Sequence, residues 1–209
     1  MTGACFVVFE GGEAAGKSTQ AARLAGRLGA VLTREPGGTP TGAALRRLLL
    51  DPATAGLDDR AEALLMAADR AQHVAEVVRP ALAAGRHVVS DRYVGSTLAY
   101  QGYGRGLALD HLRRLSAWAS DGLEPDAVIL LDVPVGAAAG RRGIRPDRLE
   151  AAGADFHRRV HDGYHALAAE DPDRWLVVDG TPDADTVEAA VWAALGTLLP
   201  ALAAAPGPA

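Results

Sequence analysis

Residues Cys5-Phe6-Val7-Val8-Phe9-Glu10-Gly11-Gly12-Glu13-Ala14-Ala15-Gly16-Lys17-Ser18-Thr19 decide the fold. The run begins as a short apolar strand. Gly11 to Ser18 then read G-x-x-x-x-G-K-S, and Thr19 to Leu28 continue as a helix. Strand, glycine loop and helix in this order form a cradle for phosphate. The glycines let successive backbone N–H groups turn towards one anion, and the helix N-terminus adds the positive end of its dipole. Gly11, Gly12, Glu13, Ala14, Ala15, Gly16, Lys17, Ser18 and Thr19 are therefore the candidate triphosphate-binding residues. Lys17 is expected to reach the β- and γ-phosphates and Ser18 to hold Mg²⁺.

Lys17 is the only lysine in the chain; every other basic side chain is arginine. The one compact ammonium thus stands where a point charge suits a phosphate. At 209 residues the chain is long enough for one substantial core, and we expect a single domain over 1–209. The net charge of −5 argues against a broad nucleic-acid or membrane surface. No apolar run approaches the roughly 20 residues of a membrane span. Neither a secretory signal nor a disulfide framework is expected, since the chain opens without a basic segment before an apolar one and has one cysteine, Cys5. A cytoplasmic protein is the expectation. There is no asparagine, which excludes an N-K-x-D guanine-reading motif and so argues against a regulatory GTPase.

Strand and helix patterns alternate along the whole chain. Strands are expected at about 5–10, 30–34, 86–91, 127–132 and 175–179. Helices are expected at about 17–28, 41–50, 59–83, 109–120, 134–142, 155–169 and 183–198, and the tail at about 203–209 should fray. Such alternation predicts an α/β fold with an open parallel sheet covered on both faces, and a ligand beyond the carboxyl ends of its strands. In the longest helix, Asp58 or Asp59 suits the N-cap, and Ala61, Leu64, Leu65, Ala68, Ala71, Ala75 and Val78 make an apolar stripe. Met66 and Arg70 share one face of it.

Other stretches carry chemistry. Asp91, at the tip of the third strand, stands where a Mg²⁺-binding carboxylate belongs, and Arg92 beside it can clamp phosphate oxygens. Arg46 and Arg47 follow the tight turn Pro36-Gly37-Gly38, and one of them can face the ligand crevice. Residues 95–106, rich in Gly, Tyr and polar groups, read as a recognition segment rather than a core helix. Arg141, Arg142, Arg145 and Arg148 fall within eight residues, punctuated by Gly143 and Pro146. Beside a phosphate loop they predict a mobile lid at about 141–150 that brings guanidinium groups onto the transferring phosphate.

Taken together, Phe9 to Thr19, Thr33-Arg34-Glu35-Pro36-Gly37-Gly38-Thr39, Asp91-Arg92-Tyr93, Ala99-Tyr100-Gln101-Gly102 and Asp147-Arg148-Leu149-Glu150 resemble the thymidylate kinase family, in order and over nearly the whole chain. The resemblance implies the P-loop nucleoside-monophosphate-kinase fold with a five-stranded parallel sheet, Mg-ATP as donor, dTMP as acceptor and a homodimer, supplying dTDP towards dTTP. It implies that Arg92 bridges the two nucleotides' phosphates and that Asp91 and Ser18 place the metal. Arg34 and Arg46 would lie near the acceptor phosphate. Arg70, Thr97 and Gln101 would address thymine, Tyr100 the deoxyribose, and Glu13 the acceptor sugar. It implies a cis bond before Pro36. The loop holds no arginine, so the transition-state cation is expected from the lid, chiefly Arg148, with Arg141 and Arg145 on ATP. Met66 stands where the family places a phenylalanine against the thymine ring, which predicts weaker dTMP binding with unchanged base selectivity. Two other functions remain to be separated: a kinase of a different nucleoside monophosphate, and a nucleotide-binding protein that transfers nothing. A panel of monophosphates and an ADP-release assay distinguish them.

Overall fold

The structure, a computed structural model, describes residues 3–139 and 147–203. Its elements in order are β1 (Phe6–Glu10), α1 (Lys17–Leu28), β2 (Val31–Arg34), α2 (Pro40–Leu50) and α3 (Asp59–His73). A wide helical turn at Val74–Val78 joins α3 to α4 (Arg79–Ala83), so 59–83 runs on as one helical rod. Then come β3 (Val88–Asp91), α5 (Val94–Thr97) with a second wide turn at Leu98–Gly104, α6 (Leu109–Ala119), β4 (Ala127–Asp132) and α7 (Val135–Ala139). The described chain closes with α8 (Ala154–Glu170), β5 (Trp175–Asp179), α9 (Ala184–Leu198) and α10 (Pro200–Ala203). The five strands are all parallel, in the order β2-β3-β1-β4-β5.

The strand β1 shows why the sheet has two covered faces. All five of its residues are buried. Val7 and Phe9 point to one side, where Ala21 and Leu24 of α1 and Val187, Val191 and Leu195 of α9 pack. Phe6 and Val8 point to the other, against Val74, Val78 and Tyr93. Each such buried side chain contributes about 1.5–3 kcal/mol. A third apolar cluster joins Leu130 of β4 to Tyr100 and to Phe156, Val160, Tyr164 and Leu167 of α8. It seats the 94–104 segment on the sheet beside the carboxyl ends of the strands. Helix starts follow local chemistry: Thr39 caps α2 by accepting from the Gly42 N–H, and Asp58 caps α3 by accepting from that of Arg60.

The structure corrects two expectations. Residues 94–104 are helical, and Leu98 to Gly102 are buried. The glycines there answer close packing: a Cβ on Gly95 would lie 2.8 Å from a Glu10 carboxylate oxygen and from the Trp175 ring, and one on Gly104 would lie 2.6 Å from Phe156. The second correction concerns α3. Its inward face is Glu62, Ala63, Ala67, Asp69, Arg70 and His73, whereas Leu64, Ala68, Ala71 and Ala75 of the expected apolar stripe are exposed. Polar groups turn inward because they line a cavity. The helix expected at 134–142 is seen over Val135–Ala139. Arg141, Arg142 and Arg145 of the expected lid, and the tail beyond Ala203, lie outside the described residues.

Candidate active site

Two cavities open beyond the carboxyl ends of β1, β2 and β3. One is lined by the loop Glu13 to Thr19 with Arg34, Asp91 and Arg92. The other is lined by Pro36, Met66, Asp69, Arg70, Ser96, Thr97, Tyr100 and Gln101, among others. Glu13, Glu35, Arg46 and Arg92 belong to both, so the cavities share a wall.

The loop is built by its backbone. Gly11 has φ +140°, and a Cβ there would lie 2.6 Å from the Leu131 carbonyl oxygen, so only glycine fits against β4. Gly16, at φ +89°, turns the chain into α1, whose first residue is Lys17. The Lys17 ammonium is buried and donates to the Gly12 carbonyl at 2.5 Å, curling over the loop. Burial, then repulsion from Arg92, brings its pKa down to about 8 against the pull of Glu13, Asp91 and Glu10. The Ser18 hydroxyl donates to Asp91 Oδ2 at 2.5 Å, while Asp91 Oδ1 is buried with no hydrogen-bond partner among the described residues.

Arg92 forms the shared wall. Its backbone is left-handed, φ +76°, a conformation that costs a non-glycine residue on the order of 1–3 kcal/mol and clusters at functional sites. Its guanidinium donates to Glu13 Oε1 at 2.7 Å, Gly11 O at 3.1 Å, Ser96 Oγ at 3.0 Å and the hydroxyls of Tyr164 and Tyr100 at 3.1 and 3.2 Å. The Tyr100 hydroxyl also donates to Glu13, at 2.6 Å. Burial would raise the Glu13 pKa, but the charges of Arg92 and Lys17 and the Tyr100 hydrogen bond outweigh it and hold the carboxyl at about 2. Behind this layer lies Glu10, which accepts from the N–H groups of Tyr93 and Ser96 and from the Ser96 hydroxyl. Burial pushes its pKa up despite these bonds.

The second cavity is bounded by a different network. Arg70, buried, donates to Glu35 at 2.9 Å and to Thr97 Oγ1 and the Tyr93 carbonyl, each at 3.0 Å. Glu35 also pairs with His73 Nδ1 at 2.8 Å. The Glu35–Pro36 bond is cis, and the Pro36 carbonyl accepts from Arg46. Burial, then repulsion from Arg34 and Arg92, lowers the Arg46 pKa. Asp69 accepts from the Gly37 N–H, and burial together with neighbouring Glu35 raises its pKa to about 6. Gln101 donates to Glu62 at 2.7 Å.

Lys17, Ser18, Asp91, Arg92, Glu13, Arg34, Arg46, Pro36, Met66, Arg70, Thr97, Tyr100 and Gln101 are thus brought around one paired cavity. Arg148 is not. Its guanidinium is buried, pairs with Glu62 at 2.6 Å and donates to the Leu49 carbonyl at 2.8 Å. Arg148, expected to supply the transition-state cation, is held by a buried carboxylate and is not among the residues that line the phosphate cavity. The sequence reading missed Glu10, Glu35, Glu62, Asp69 and His73 as site-building groups. Glu62 and Asp69 share the inward face of α3 with Arg70, and that shared face is the signal that was available.

The chain is similar to known proteins over nearly its whole length. The thymidylate kinase family profile matches residues 9–191. A thymidylate kinase of Solidesulfovibrio magneticus is 52% identical over 209 residues, covering 93% of this chain and 100% of that protein. One of Deinococcus radiodurans is 49% identical, covering 93% and 98%. The crystal structure of thymidylate kinase from Ehrlichia chaffeensis superposes with a TM-score of 0.78 at 31% identity, covering 92% of this chain and 99% of that one.

Proposed function

The chain belongs to the thymidylate kinase family, and from that premise we propose how its own residues move the γ-phosphoryl group of ATP onto dTMP to give dTDP. The observation that carries the reading is the shared wall: a phosphate cradle and a base-sized polar cavity meet at Arg92 and Glu13. The acceptor oxygen belongs to a phosphate monoester whose second pKa is about 6, so it is already anionic at neutral pH and no general base is needed. The protein has to align two repelling phosphates and offset the charge that develops between them.

Gly11 to Thr19 cradle the ATP phosphates, and Lys17 meets the β- and γ-oxygens. Arg92 contacts both nucleotides' phosphates, with Arg34 and Arg46 on the acceptor phosphate. Glu13, held ionised, faces the acceptor sugar, and Tyr100 occupies the space a 2′-hydroxyl would need. Arg70, Thr97, Gln101 and Met66 receive the thymine, with the Pro36 turn on the same cavity. Ser18 and Asp91 fit a hard divalent cation: both offer oxygen, and Asp91 Oδ1 is buried without a hydrogen-bond partner among the described residues. They would hold Mg²⁺, which when bound neutralises charge between the phosphates. Arg141 and Arg145 close over ATP from the lid, while Arg148, through Glu62 and Leu49, anchors the lid's carboxyl end.

We read the whole chain as one kinase domain, cytoplasmic and homodimeric. The exposed apolar residues Leu48, Leu64 and Trp118, on α3 and on the α2 and α6 that each pack against it, support the dimer. The test is ADP release with each nucleoside monophosphate in turn. dTMP is expected to be turned over best. dUMP, lacking one methyl, should lose about 1–3 kcal/mol in kcat/KM and remain detectable. Faster turnover of any other monophosphate, or ADP release that no monophosphate stimulates, would contradict the reading.

A further inference from the structure

At the carboxyl end of β4, Asp132 ends the strand and two histidines of α8 converge on it. His161 and His165 are four residues apart and so share one face of the helix. Their Nε2 atoms lie 3.0 and 3.1 Å from the same oxygen, Asp132 Oδ1, and their rings are 4.7 Å apart. One donor atom from each of the three lies within 4.8 Å of the others, and all three side chains are half-buried. Among the described residues no arginine or lysine pairs with Asp132.

Zn²⁺ bound at about 2.0–2.1 Å to imidazole nitrogen and carboxylate oxygen, at tetrahedral angles, holds its donors roughly 3.3 Å apart. The observed oxygen–nitrogen separations are close to that edge. The donors are also fixed in advance. The carbonyl of Asp132 accepts the Gly180 N–H at 2.8 Å, which holds the strand end, and the helix sets the spacing of the two imidazoles. His161 Nδ1 lies 3.7 Å from Asp162 Oδ1, too far for a hydrogen bond. Two imidazoles and one carboxylate suit zinc and its neighbours, not Mg²⁺ or Ca²⁺.

We propose that Asp132, His161 and His165 form a binding site for a Zn²⁺-class transition-metal ion, distinct from the Mg²⁺ position at Ser18 and Asp91. The ion clasps the end of β4 to α8 and leaves a fourth coordination position open to water.

The test uses full-length protein stripped with a chelator and kept in saturating Mg²⁺, so that oxygen-only sites are filled. Calorimetric titration with Zn²⁺ is expected to give one ion per chain. Co²⁺ is expected to give the strong visible absorption of a low-coordinate site, which Zn²⁺ then abolishes. A variant carrying both His161→Gln and His165→Gln should bind at least 100-fold more weakly, and Asp132→Asn about tenfold more weakly. His111→Gln, altering an exposed histidine of α6, should change nothing. Zn²⁺ should raise the Tm of the unaltered chain and not that of the double variant. The Tm without metal, measured in each variant, shows that each one folds. No one-to-one binding, binding that survives in the double variant, or full affinity in Asp132→Asn would overturn the three-ligand site.

Discussion

The two halves of the paired cavity handle charge in opposite ways. On the phosphate side, Lys17, Arg34, Arg46 and Arg92 crowd together, and repulsion from neighbouring guanidinium groups adds to burial in lowering the pKa values of Lys17 and Arg46. On the base side, carboxylates are shared out among partners: Glu35 between Arg70 and His73, and Glu62 among Gln101, Arg105 and Arg148. The first half holds cations against their own repulsion and is suited to phosphate. The second is close to locally neutral and is suited to an uncharged base read by hydrogen bonds. Charge is therefore sorted along the cavity before any nucleotide arrives.

The largest effect expected from breaking this contrast lies on the phosphate side. Lys17→Ala should lower kcat by roughly 10³-fold or more, with far-ultraviolet circular dichroism unchanged, since the ammonium meets charge that develops in transfer. On the base side the penalty should appear in folding as well. Arg70→Gln leaves Glu35 buried with one partner fewer and should cost about 3–5 kcal/mol in denaturant unfolding, together with a raised KM for dTMP. Next comes pH. With a Lys17 pKa of about 8, the free enzyme loses the ammonium as pH rises through that value, so kcat/KM for ATP should fall about tenfold per unit above it. Bound phosphate stabilises the charged form, so kcat should hold to higher pH. The smallest effect is at Met66, whose flexible thioether lines the base cavity. Met66→Phe should lower the dTMP KM severalfold, as a ring–ring contact of roughly 0.5–1.5 kcal/mol beyond its area burial replaces the sulfur contact, and leave the preference for dTMP over dUMP unchanged.

Much of this was legible in the sequence because it is local. The glycine loop, the apolar strands and the carboxylate at the tip of β3 each declare themselves within a few residues, and all five strands lie where the pattern put them. Pairings across long separations were not legible. Glu62 meets Arg148 across 86 positions, and nothing near either residue announces the other. The same holds for Glu10 under Ser96 and for Asp132 facing α8. Composition misled where burial serves a cavity. The inward face of α3 is charged, so the apolar count chose the opposite face, and the glycines of 94–104 looked like loop residues although they let a helix pack closely.

One wall, made by Arg92 and Glu13, is proposed to serve both nucleotides at once. It is tested most directly with a dinucleotide that joins adenosine and thymidine through five phosphates, used as an inhibitor in steady-state kinetics. Inhibition is expected to be competitive with ATP and with dTMP alike, and at least 100-fold weaker in Arg92→Gln. Competition with only one of the two substrates, or equal inhibition of the Arg92 variant, would contradict it.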